Sequence, residues 1–116
     1  DILAARKAVR QVHTDDKIIR YAVSIATATR QPERIGLDTF KPMIRYGASP
    51  RASIYLILAA RAEAFTEGRD FVLPEDVRSV AHDVLRHRIG LSYEAEAERI
   101  SSDQIVDEIL AKVIVP

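Results

Sequence analysis

The chain has 116 residues, seventeen Lys and Arg balanced by seventeen Asp and Glu, 47% hydrophobic residues and no cysteine. That length suits one small domain, and that hydrophobic share excludes a disordered chain. Missing cysteine excludes a disulfide framework and thiolate chemistry; balanced charge argues against a dedicated nucleic-acid binder; and no apolar run nears the ~20 residues that span a bilayer.

In chain order, Leu3 to Val12 places Ala5, Ala8, Val9 and Val12 at helical spacing, which predicts about three turns. Thr14, Asp15 and Asp16 supply a cap and first-turn acids for a second helix, expected to end near Arg30, with an apolar stripe of Ile18, Ile19, Ala22, Val23 and Ala26. Adjacent residues on a helix point about 100° apart, so Asp15 and Asp16 are expected to match the helix dipole and not to share a metal ion. Gln31 to Ala48, punctuated by Pro32, Gly36, Pro42 and Gly47, is expected to be a long basic loop carrying Arg34, Lys41 and Arg45.

The loop delivers the chain to Gly47-Ala48-Ser49-Pro50-Arg51-Ala52, which opens a third helix running to about Phe65 or Thr66. Ser49 is the expected N-cap and Pro50 suits the first helical position. Ile54 to Ala60 is apolar almost all the way round, so this helix is expected to be central, with Leu58 among the most buried residues. Gly68 offers a left-handed closing residue. Arg51 breaks a local rule, because the first turn of a helix favours anions. It is either an arginine extending into water or, with the free N–H groups of the helix start, a phosphate ligand.

Phe71-Val72-Leu73 is expected to be a short extended piece beside Arg88 to Tyr93. Pro74 opens a fourth helix whose capping position holds Leu73, a poor cap that Glu75 and Asp76 partly offset. Val77, Val80, Ala81, Val84 and Leu85 give the cleanest amphipathic stripe in the chain. Glu94, Glu96 and Glu98 read as solvated. Ser101 or Ser102 is the expected cap of a last helix, with Gln104 placed for a capping box on Ser101, and Ile105, Val106, Ile109, Leu110 and Val113 are expected to face inward.

Charge is uneven along the chain: residues 1–60 hold ten Lys/Arg and five Asp/Glu, and residues 61–116 hold seven and twelve. That favours one anion-facing side. His13, His82 and His87 have no zinc-like spacing, and the four glycines form neither a phosphate-binding P-loop nor a dinucleotide turn. These residues alone are therefore not expected to bind and cleave ATP.

Tyr46 to Ala52, the alanine-rich helix after it, Glu67-Gly68-Arg69-Asp70-Phe71-Val72, Pro74-Glu75-Asp76-Val77 and Val84-Leu85-Arg86-His87-Arg88-Ile89 together resemble the helical lid of the MoxR branch of AAA+ ATPases. Val9 to Val12 and the Asp15-Asp16 segment extend the resemblance over most of the chain. It implies an all-α fold, a small helical bundle of the AAA+ lid type with a minor two-stranded extended piece. Residues 1–116 would be one lid domain, with residues 1–12 the linker helix from an ATPase core outside this sequence. A start at Asp1, directly into a helical pattern, agrees with a piece of a longer protein.

The resemblance also implies roles. Arg51 would be the second-sensor arginine, acting only with the core domain, and Gly47, Ala48, Ser49 and Pro50 would line the nucleotide with it. ATP and Mg²⁺ would be cofactors of the full-length parent, with none bound tightly by the fragment alone. Expected partners are the chain's own core, neighbouring subunits of a ring and proteins carrying von Willebrand A domains, in a cytoplasmic, chaperone-like remodelling ATPase; no nucleic acid or membrane is expected. The alternative is a stand-alone helical protein-interaction module.

Overall fold

The helical periodicity of the sequence is realised almost throughout the computed structural model, which describes residues 2–116. The elements are α1 (Ile2–Arg10), α2 (Asp16–Arg30), two 3₁₀ segments η1 (Pro32–Ile35) and η2 (Asp38–Met43), β1 (Ile44–Tyr46), α3 (Arg51–Thr66), α4 (Pro74–Leu85), β2 (Gly90–Leu91), α5 (Tyr93–Ala97) and α6 (Ser102–Lys112). The result is the expected all-α bundle with one small two-stranded sheet, about 47 × 27 × 20 Å. No helix among the described residues is long and apolar enough to cross a membrane.

Local chemistry sets the helix ends. Asp15 caps α2, accepting from the Lys17 amide at 3.3 Å. Ser101 and Gln104 cap α6 reciprocally, at 3.1 and 2.7 Å. Gly68, at φ 77°, turns the chain out of α3 while the Arg69 amide donates to the Ala64 carbonyl at 2.9 Å. A residue with a side chain would be strained in that left-handed conformation.

The core lies where α3 and α4 pack together, with α2 and α6 closing it. From α3 come Ala52, Leu56, Ala60 and Ala64, all fully buried. Val77, Ala81 and Leu85 of α4 and Ile105, Val106 and Ile109 of α6 are fully enclosed as well. Fully burying one such aliphatic side chain contributes about 1.5–3 kcal/mol. The three alanines of α3 let neighbouring backbones approach closely.

That narrow stripe corrects the expectation for Leu58, which is 44% exposed, while Leu56 occupies the enclosed position. A helix apolar on every side carries no phase, so composition alone could not say which side faces inward. The alanine side was taken, leaving Ile54, Tyr55, Leu58 and Phe65 exposed. The outer half of the stripe expected for α2 is likewise exposed, at Ile19 and Val23.

Two further corrections concern the connections. The expected long loop over Gln31 to Ala48 is largely folded, as η1, η2 and β1. And β2 pairs antiparallel with β1, Ile44 opposite Leu91 and Tyr46 opposite Gly90, not with Phe71 to Leu73. That stretch is already engaged: the His13 amide donates to the Asp70 carbonyl at 2.8 Å, and the Val72 amide donates to the His13 carbonyl at 2.9 Å. Gly90 suits its place in β2 because a Cβ there would collide with the Tyr46 ring.

Candidate functional site

The stretch from Gly47 to Arg51 is held against the C-terminal end of α2. Gly47 lies so close to the Thr29 backbone that any Cβ would overlap its carbonyl. Thr29 is fully buried. Its hydroxyl donates to the Ala26 carbonyl at 2.6 Å and accepts from the Ala48 amide at 2.8 Å. Arg30 completes the clamp, donating from Nη1 to the Ala48 carbonyl at 2.6 Å.

Ala48 is thus enclosed, with both its backbone groups occupied within the chain. It anchors the segment and leaves Ser49, Pro50 and Arg51 on the exposed side. Ser49 does not cap α3 with its hydroxyl. Pro50 already has helical torsions, φ −54° and ψ −27°, and the helix start has no side-chain cap. The first turn is closed by main chain instead: the Ser49 carbonyl accepts from the Ala52 amide at 2.9 Å, and the Pro50 carbonyl accepts from Ser53 at 3.2 Å. The Ser53 hydroxyl also donates to the Pro50 carbonyl, at 2.7 Å.

Arg51 is exposed, and its side chain has no hydrogen-bond or ion-pair partner among the described residues. Its first turn contains no acidic residue. One turn along, Tyr55 carries a second cation: the Arg88 guanidinium stacks over its ring, 4.6 Å from the centroid. Arg88 is further fixed by donating from Nη1 to the Val84 carbonyl at 2.8 Å. Neither contact neutralises its charge. The arrangement is an uncapped helix N-terminus with an unpaired guanidinium at its first residue, a combination suited to an anion.

Sequence reasoning singled out Arg51 but missed Thr29 and Arg30, which anchor Ala48 ahead of it, and the Tyr55–Arg88 stack one turn along. Thr29 had a readable signal, being a hydroxyl beside the inward residues Ile25, Ala26 and Ala28 of α2. Of the histidines, His82 approaches Asp107 at 2.6 Å across α4 and α6. No group of three or more His, Cys, Asp or Glu among the described residues could hold a metal ion.

The helical bundle with its one small sheet is the architecture of an AAA lid. The chain belongs to the AAA lid domain family, whose pattern matches residues 39–109. Over its whole length it is 40% identical to Chaperone MoxR1 of Mycobacterium tuberculosis, covering 31% of that protein. It is also 40% identical to Protein MoxR of Paracoccus denitrificans over 90% of this chain and 32% of that one. A crystal structure of a protein described as an ATPase, from Cytophaga hutchinsonii, superposes with a TM-score of 0.92 at 45% identity, covering 95% of this chain and 33% of that one. The chain is a lid of the MoxR type, and it spans about a third of the length of the relatives it matches.

Proposed function

We propose that this lid reports on the nucleotide held by its own ATPase core, with Arg51 as the second-sensor arginine. The observation that carries the reading is the state of Arg51: exposed, without a counter-ion, at an uncapped helix start whose approach is clamped by Thr29 and Arg30. An unpaired guanidinium there fits a phosphate, and its planar fork can hold two phosphate oxygens together. ATP with Mg²⁺ on the core would supply the phosphoryl group to be transferred.

Arg51 would stabilise negative charge on that group in the transition state. Because Gly47 and Ala48 tie the start of α3 to α2, a change in the Arg51 contact would move the bundle and not one side chain. Losing the phosphate contact after hydrolysis would free the lid to rotate, the mechanical step of a chaperone-like remodelling cycle. The exposed apolar side of α3 and α1, including Ile54, Leu58, Phe65 and Ile2, supports packing against the core. Hollows of about 260 and 400 Å³ flank α3 there. Residues 1–12 would be the connection to that core. Ring neighbours and von Willebrand A proteins extend the proposal by family analogy.

The test is steady-state ATP turnover in the longer parent protein. Arg51→Ala should lower the rate by about two to three decades, and Arg51→Lys should recover little of it. Arg61→Ala is the control. Arg61 sits further along α3 and its Nε donates to the Thr14 hydroxyl at 2.8 Å, so it should cost some stability and little turnover. Near-normal turnover in Arg51→Ala would make Arg51 an ordinary surface arginine.

A further inference from the structure

Three adjoining hollows of about 200, 210 and 380 Å³ run along the outer side of α2 and share Ser24. Lys17 and Arg20 stand at one end and Arg34 and Lys112 at the other, and among the described residues no Asp or Glu lines any of the three. None of these four side chains has a hydrogen-bond or ion-pair partner among the described residues. Among the described residues three Lys and Arg side chains are ion-paired, Lys41 with Glu33, Arg69 with Asp76, and Arg86 with Asp83 and Asp103; the groove is set apart by four unpaired cations lining one continuous surface. In a chain with zero formal net charge, this groove is locally uncompensated.

Beside the cations the groove offers the aliphatic side chains of Ile35, Val113 and Ile114, the last 88% exposed, with the polar Ser24, Thr27 and Gln31 among them. We propose that it docks an extended acidic peptide segment of a partner protein, with glutamates or aspartates at the ends and aliphatic residues between. From Lys17 to Gln31 the helix rises about 21 Å, which six or seven extended residues span. A nucleic acid fits less well, because single strands are held by stacking on aromatic rings. The only aromatic residue in the groove, Tyr21, is 3% exposed, with its hydroxyl accepting from Arg78 at 3.1 Å. The groove is separate from the start of α3, so the proposal does not depend on a role for Arg51.

The probe is a fluorescein-labelled eight-residue peptide with two glutamates at each end and four leucines between, followed by polarisation against the 116-residue chain at low salt. Saturable micromolar binding is expected, weakening as salt screens the charges. Arg34→Glu with Lys112→Glu should weaken it at least about tenfold. Ser24→Glu, at the shared point of the groove, should do the same by placing a like charge under the peptide. Lys7→Glu, on exposed α1, and Arg51→Ala should leave it unchanged, with circular dichroism confirming the fold of every variant. Failure to saturate would overturn the proposal. So would equal loss in Lys7→Glu, or equal or tighter binding of a labelled oligothymidine of eight nucleotides, which would reveal an unselective anion surface.

Discussion

The start of α3 and the start of α4 both carry a proline, and the two are otherwise opposites. At α4, Asp76 is 3% exposed and accepts from the Leu73 amide at 2.7 Å. Arg69 grips the same carboxylate with two hydrogen bonds, at 2.6 and 2.7 Å. Asp76 thereby takes over the capping that Leu73 cannot provide. At α3 there is no acid in the first turn, no side-chain cap and a cation facing solvent. One start spends its polar side chains internally and stabilises the fold; the other closes its first turn with main chain and leaves the Arg51 guanidinium without a partner among the described residues.

The strongest way to break that contrast is to empty the closed start. Asp76→Ala leaves Arg69 without its partner and the Leu73 amide without an acceptor. Removing one member of such a part-buried, charge-assisted pair costs about 1.5–3 kcal/mol, a sizeable part of the roughly 5–15 kcal/mol typical of a domain. Thermal or chemical denaturation should show that loss, while Arg51→Ala shifts stability by less than about 0.5 kcal/mol, as a surface change does. Comparable losses in both variants would mean that the two starts serve the fold alike.

Gly47→Ala tests how the open start is positioned. The new methyl would overlap the Thr29 carbonyl, so either the strap or the end of α2 must move. Overpacking of this kind costs about 1–3 kcal/mol. In the longer parent the same change should depress ATP turnover beyond what the stability loss explains, because Arg51 would be displaced. A destabilised variant with unaltered turnover per folded molecule would separate the strap from the site.

Much of this was legible in the sequence, for definable reasons. The stripes of α4 and α6 have one apolar side each, so their inward residues Val77, Leu85, Ile105 and Ile109 could be named in advance. The cap at Ser101 and the turn at Gly68 depend on residues within a few positions of each other. Leu58 was misplaced because its helix has no polar side to set the phase. The pairing of β1 with β2 joins segments more than forty positions apart, and two- and three-residue strands carry no periodicity to read. Arg51 stood out by violating the dipole preference, whereas Thr29 and Arg30 act on Ala48 across a connection that only the fold brings together.

Acid sharpens the contrast further, by a smaller amount. Burial alone would raise the Asp76 carboxyl, but the Arg69 hydrogen bonds, the Leu73 amide and the Arg69 charge together hold it below its ordinary value of 3.8. The unfolded chain then takes up the proton more readily than the folded one. Stability from this group is complete above the ordinary value and drains away as pH falls through the lowered one. Melting temperature should therefore drop more steeply below about pH 4 in the wild type than in Asp76→Ala. The Arg51→Ala curve should run parallel to the wild type over the same range.

The smallest effect tests the comparison most directly, by giving α3 the kind of start that α4 has. Arg51→Glu exchanges a cation that opposes the helix dipole for an anion that complements it. Each such interaction is worth about 0.3–1 kcal/mol at an exposed position, and Arg51 has no side-chain partner among the described residues to lose. The variant should therefore be slightly more stable than the wild type, most clearly at low salt, where screening is weakest. In the longer parent the same substitution should reduce turnover at least as far as Arg51→Ala, since a carboxylate repels the phosphate that the guanidinium would hold. Denaturation of the lid and turnover of the parent would then move in opposite directions. Two outcomes would defeat the argument: a loss of stability, which would show that Arg51 supports the fold after all, or a gain in stability with turnover unchanged, which would show that the open start faces only water.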